Sequence, residues 1–246
     1  MAKRFIVDKK DISFLSDEQI EISGLEIKHM HVLRIKELDE IIVNEYNCKV
    51  NKISKEKIIL DILKKANDVG IPKVKLDLYQ AMLKSDKFEF VIQKQVELGI
   101  NKITPFFSKN VVVKLDEKSK QTKLTRYNKI SLEACKQCGR SDLVLVDNFK
   151  TLDELVNTFK NYDYVILAYE KYNKNFKEVL NNIKVDLNSQ KNVAVIVGAE
   201  GGFLESEVNK LEQMDNVHIV GLGERILRAE TASIYLTSIL NYELEI

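Results

Sequence analysis

Two stretches near the C-terminus constrain this chain most: Val193–Glu207, reading VAVIVGAEGGFLESE, and Val220–Ile234, reading VGLGERILRAETASI. Each passes from an apolar run into glycines and then into a helical pattern. The run Val193 to Val197 is continuously apolar, as a parallel strand buried on both faces must be. Gly198, Gly201 and Gly202 follow at once, so the backbone can turn sharply and approach a ligand with no Cβ in the way. In open α/β sheets ligands sit at the carboxyl ends of the strands. Two such loops therefore predict one shared small-molecule pocket. No Gly-Lys-Ser/Thr follows, so this is not a phosphate loop, and the spacing is not that of the dinucleotide fingerprint. The second loop places Glu224, Arg225, Arg228 and Glu230 around an otherwise apolar turn, which is more charge than a mere connection needs.

The remainder of the 246 residues reads as two regions. Over about the first 65 residues, short β-like segments recur at Arg4–Val7, Gln19–Ile22, Glu40–Asn44, Lys49–Ser54 and Lys57–Leu63, with a hairpin turn at Glu45–Asn47. One short helical stretch, Glu26–Arg34, interrupts them. This predicts a small, mostly antiparallel barrel over residues 1–70. The polar segment 64–73, with Gly70 and Pro72, marks the boundary.

From Val74 strands and helices alternate, which predicts a mostly parallel sheet over residues 73–246. Expected strands are Lys75–Met82, Ile103–Phe107, Asn110–Leu115, Leu143–Val146 and Asp163–Ala168. Expected helices are Asp86–Leu98 stopped by Gly99, Ser119–Cys138, Thr151–Lys160 opening on a Thr151/Glu154 capping box, and Asn175–Ile183.

The net charge of +1 conceals that 30% of residues are charged, so any RNA contact must come from local patches. The absence of a secretory pattern and of a long apolar run predicts a cytoplasmic protein with no membrane span. Cys135 and Cys138 form a single CxxC without a second pair, and Cys48 and the three histidines lie at no zinc spacing. The pair reads as helix packing, and no metal is expected.

Seven blocks, in order, carry a resemblance over the whole length. They are Arg4-Phe5, His31-Val-Leu-Arg34, Lys84-Ser-Asp-Lys87, Ile92-Gln-Lys-x-x-Glu-Leu-Gly99, Glu133-Ala-Cys-x-Gln-Cys-Gly-Arg140, Gly198-x-Glu-Gly-Gly-Phe203 and Leu222-Gly-x-Arg-Ile-Leu-Arg-x-Glu-Thr-Ala232. The chain resembles the bacterial 16S ribosomal RNA uridine-N3 methyltransferases (RsmE type) of the SPOUT class. It departs from them at Ala199, where proline is usual, at Leu204, where a hydroxyl cap is usual, at Ala229, and at Cys135 and Cys138.

The resemblance implies an α/β fold with a mostly parallel sheet threaded as a C-terminal trefoil knot, a PUA-like N-terminal β-barrel, a homodimer and S-adenosylmethionine as cofactor. It implies methylation at N3 of a uridine in 16S ribosomal RNA within the small subunit. The alternatives are another RNA base, or a catalytically silent RNA-binding assembly factor. The expected cofactor slot is Leu167, Ala168, Val197, Gly198, Gly202, Leu222, Gly223, Ile226 and Leu227. N3 of uracil gains its lone pair only when its proton leaves, so a fixed cation and a proton acceptor are needed. Arg228 is the first candidate for the cation, with Arg140 behind it. Glu200 or Glu230 is the candidate acceptor. RNA contacts are expected from Arg4, His31 and Arg34 in the barrel, and from Lys84 and Lys87. His31 has a core position as its competing reading.

Overall fold

The computed structural model describes residues 3–65, 74–84, 86–140, 142–172, 176–185 and 191–244. The chain divides into two compact units: Met1–Ile71 together with Cys135–Leu143, and Pro72–Ala134 together with Val144–Ile246. The expected boundary at 64–73 lies outside the described residues from 66 onward.

In the first unit, strands β1 (Lys3–Phe5), β2 (Ile12–Ser16) and β3 (Gln19–Ile22) precede helix α1 (Glu26–Val32). Strands β4 (Glu40–Val43), β5 (Tyr46–Ile53) and β6 (Ile58–Lys65) follow it. They form one sheet in the order β1-β4-β5-β6-β3-β2, antiparallel throughout except for the β1–β4 pair. Phe5, Ile20, Ile22, Ile27, Met30, Ile41, Val43, Val50, Ile58 and Leu60 make its core. The period-two alternation of β3 and β4 puts these apolar side chains on one face.

Strand β2 escapes the sequence pattern because it is an exposed edge. It has a register shift between Phe14 and Ser16, so no buried face imposes alternation. The β4–β5 turn falls at Asn44 and Glu45, starting one residue before the expected Glu45–Asn47, with Tyr46 and Asn47 already in β5. Asn44 adopts φ 50°, which asparagine tolerates. Its amide accepts from the Val7 N–H at 2.8 Å and donates to the Val7 carbonyl at 2.9 Å.

In the second unit, β7 (Lys75–Ala81), α2 (Lys87–Glu97), β8 (Lys102–Phe107) and α3 (Glu117–Cys138) come first. The last turn of α3 belongs to the first unit. Next are β9 (Leu145–Val146), β10 (Lys150–Thr151), α4 (Leu152–Val156), β11 (Tyr164–Ala168) and α5 (Phe176–Val185). Strand β12 (Asn192–Val197), α6 (Glu205–Glu212), β13 (Val217–Val220) and α7 (Ala229–Leu244) complete it. The sheet runs β10-β8-β7-β12-β11-β13, with β9 also on β8, and every pairing is parallel. Val193 to Val197 are all buried, as their unbroken apolar run requires.

Gly99 ends α2 in the left-handed region at φ 87°, and the Ile100 N–H returns to the Gln95 carbonyl. The Thr151/Glu154 box caps α4, yet the helix stops at Val156 and a short 3-10 turn covers 159–161. The expected strand Asn110–Leu115 is not formed. The chain entering it is held by the first glycine loop and α6 instead: the Lys109 N–H donates to Glu207 Oε1 at 3.0 Å, and Asn110 Nδ2 to the Gly201 carbonyl at 2.8 Å.

Leu204 stands at the N-cap of α6 with no hydroxyl to offer. Buried Glu207 supplies the missing order by accepting the Leu204 N–H at 2.9 Å while holding Lys109. Glu207→Ala should therefore leave two backbone donors unsatisfied and destabilise the protein by about 2 kcal/mol. Thermal and urea unfolding will measure this, and a loss within error of zero would mean that water replaces the carboxylate.

Candidate active site

The second-unit site rests on strand register. Ala168, the last residue of β11, lies opposite Val197 of β12 on one side and Val220 of β13 on the other. Three parallel strands thus end at the same level, and the chain leaving each one turns over the same edge. The turn after β11, both glycine loops and the first turn of α7 enclose a cavity of about 490 Å³.

Of the residues expected to form the slot, Ala168, Val197, Gly198, Gly202, Leu222, Gly223, Ile226 and Leu227 line this cavity. Leu167 does not; it is fully buried in β11 beneath. Arg228, Glu200 and Lys87 also line it. Ile226 exposes 84% of its surface, so an apolar side chain faces solvent at the rim.

Gly202 sits at φ 61°, and a Cβ there would fall 2.9 Å from a Glu170 carboxylate oxygen. A Cβ at Gly198 would meet the Phe203 ring at 3.0 Å. That ring stacks on Phe106 of β8. From β7, fully buried Gln80 donates to the Gly198 carbonyl at 3.2 Å, which fixes the start of the first loop.

Charge around the cavity is arranged by Lys87, the first residue of α2. Its Nζ lies 3.2 Å from Glu200 Oε1 and 3.7 Å from Glu230 Oε1. Burial works against ionisation of Glu200, but backbone N–H donors of Glu200 itself and Lys84, together with the Lys87 ammonium, hold it below the usual carboxylate range. Glu230 Oε2 is buried with no hydrogen-bond partner. Arg228 is exposed and, among the described residues, forms no ion pair, whereas Glu200 and Glu230 are both held by Lys87.

The other predicted residues lie elsewhere. Arg140 is buried in the first unit and forks onto Asp142, Nε at 3.0 Å and Nη2 at 2.8 Å. It is not among the cavity residues. His31 is exposed, with Nε2 3.1 Å from the Ser54 carbonyl, so it is not a core histidine. Arg34 is exposed at φ 52°. Arg4 is half-buried, and burial lowers its pKa. Lys84 is exposed beside the first loop, where its N–H donates to Glu200. Cys135 is buried, as the packing reading expects, whereas Cys138 is exposed and donates to the Cys135 carbonyl, so the reading fails for the second cysteine. Among the described residues no His/Cys/Asp/Glu cluster could hold a metal, and no helix is long and apolar enough to cross a membrane.

Comparison with known proteins decides the class. The RNA methyltransferase domain family matches residues 70–241. A ribosomal RNA small subunit methyltransferase E from Bacillus subtilis (strain 168) is 33% identical over 245 residues, covering 94% of this chain and 95% of that one. The chain belongs to this family of ribosomal RNA methyltransferases. A namesake from Mesomycoplasma hyopneumoniae (strain 232) is also 33% identical, over 95% of this chain and 96% of its own. A solved structure from Legionella pneumophila, containing the bound cofactor S-adenosylmethionine, is 25% identical with a TM-score of 0.78 over 98% of both chains.

Three supports escaped the sequence: Glu170, Gln80 and Gly221. A glutamate after a strand and a glutamine inside one carry no distinguishing pattern. Gly221 was visible as a glycine, but its reason was not. A Cβ there would lie 2.1 Å from the Tyr172 carbonyl oxygen, which is backbone and cannot rotate away. Gly223, by contrast, is at φ 107° with open space around it. Gly221→Ala should therefore unfold several degrees below Gly223→Ala, whose cost is conformational strain of about 1 kcal/mol. Equal melting temperatures in the two variants would show that the crossing at Tyr172 relaxes freely.

Proposed function

We propose that this protein methylates N3 of a uridine in 16S ribosomal RNA of the small subunit, with S-adenosylmethionine as the methyl donor. The observation that carries the reading is the cavity at three aligned strand ends in a chain of the RNA methyltransferase family. The residues fit the cofactor. Apolar Val197, Leu222 and Leu227 suit its adenine and methylene parts, and the glycine cradle offers backbone groups at a position that a Cβ would fill. The bound cofactor supplies an electrophilic methyl group.

This chain's own residues then serve the acceptor. Loss of the N3 proton spreads negative charge onto the two uracil carbonyl oxygens. Arg228, at the cavity wall and not neutralised by a carboxylate, is placed to stabilise that charge. Glu230 or Glu200 accepts the proton. RNA docking is assigned to Arg4, His31 and Arg34 of the first unit, read as a PUA-like barrel, and to Lys84. The knotted threading of the sheet, the homodimer and the cytoplasmic setting belong to the same proposal, whereas buried Arg140, forked onto Asp142, is read as structural.

Gly202→Val should abolish calorimetric binding of S-adenosylmethionine in a protein that remains folded, since a branched Cβ meets both the left-handed φ and Glu170. Unchanged affinity would reduce the loop to a turn.

Arg228→Ala should lower single-turnover methylation of small-subunit particles by about a hundredfold or more with little change in cofactor affinity. Arg228→Lys should recover only part, because an ammonium lacks the planar fork. A rate near wild type in Arg228→Ala would make this arginine structural. Arg34→Ala should weaken particle binding and lower its salt slope by about one. Equal particle affinity would remove Arg34 from the docking surface.

A further inference from the structure

Lysine at the start of an exposed helix usually reads as a solvated or phosphate-binding charge. Lys87 does not sit that way. Its side chain is two-thirds covered, it lines the cavity, and its ammonium lies between Glu200 of the first glycine loop and Glu230 of α7. One ammonium against two carboxylates sums to minus one, so the cluster does not attract phosphate.

The two carboxylates are not equivalent. Glu200 Oε1 accepts from both the Lys84 N–H, at 3.3 Å, and Lys87 Nζ, at 3.2 Å. Its negative charge is committed to holding the loop against the start of α2. Glu230 touches the lysine through Oε1 only, and Oε2 is buried with no partner. An unpaired buried carboxylate oxygen is costly, so this carboxylate is less fully committed to partners than that of Glu200.

We infer that Lys87 is a positioning residue of the methyl-transfer site: it anchors Glu200 as a structural carboxylate and orients Glu230 as the proton acceptor. The inference rests on the methyl-transfer reading above. In the step concerned, the N3 proton passes to the Glu230 carboxylate. The freed N3 lone pair bonds the methyl carbon, and the C–S bonding pair stays on sulfur. Of the charged residues that line the cavity, Glu170, Glu224, Arg225 and Arg228 belong to the loops opposite and, among the described residues, form no ion pair with the lysine; Glu230 stands just behind the lining.

The test uses the full-length protein, S-adenosylmethionine and small-subunit particles under single-turnover conditions. Lys87→Met should slow methyl transfer at saturating particles by about thirtyfold or more, while the Kd for cofactor and for particles stays within about threefold of wild type. Lys87→Arg should restore most of the rate, since a cation between the carboxylates is retained. Glu230→Gln should cost more rate than Glu200→Gln, whose main effect should be on melting temperature.

A Lys87→Met variant with unchanged saturating rate, weaker particle binding and a salt slope lower by about one would make Lys87 a phosphate contact and overturn the inference. Lys87→Arg as slow as Lys87→Met, with an equal fall in melting temperature, would overturn it in favour of a purely structural lysine. Methylation of particles by the wild type, together with either result, would leave the methyl-transfer reading standing. A wild type that transfers no methyl group would refute both.

Discussion

The alignment of three parallel strand ends is the constraint from which the site follows. Ala168 is flanked by Val197 and Val220, so a single level across the sheet decides where three separate turns emerge. Parallel pairing lets the ends coincide, and burial on both faces keeps these strands in the interior of the sheet. The glycines are a consequence of that arrangement. With three chain segments leaving adjacent strands together, there is little room for side chains between them. Gly198 lies against Phe203, Gly202 against Glu170 and Gly221 against the Tyr172 carbonyl.

Electrostatics complete what the backbone begins. The cavity wall alternates signs instead of presenting one field, with Lys87 held between carboxylates and Arg228 left without one. A neutral-on-average wall suits a ligand that itself carries both signs. Arg34 and His31 of the first unit are exposed, as the RNA docking proposed for them requires.

Much of this was legible in the sequence where local chemistry is decisive. The apolar run before the glycines, the Thr151/Glu154 box and the Gly99 stop all act within a few residues, and each is found at its expected place. The pocket was legible because two strand–glycine–helix units lie close together in the chain. What could not be read depends on distant partners. Glu207 replaces a missing cap at Leu204 while reaching back to Lys109, just before the expected strand at Asn110–Leu115 that is not formed. Lys87 turns inward because carboxylates more than a hundred residues away receive it. The roles given to Arg228 and Glu230 came from family resemblance, since no spacing rule marks an arginine as a transition-state donor.

The first unit is not one stretch of chain. Residues 135–143 belong to it although the polypeptide reaches them only after crossing the first part of the second unit, Pro72–Ala134. There Lys136 pairs with Glu26 at 2.6 Å, and Arg140 forks onto Asp142. In inheritance this has a plain effect. A module bounded by one linker can be exchanged between genes by a single crossover, but this one cannot: the donor segment before residue 72 would arrive without its nine-residue complement. Recombination that respects the fold must move two separated pieces together, so the two units are expected to descend as a pair.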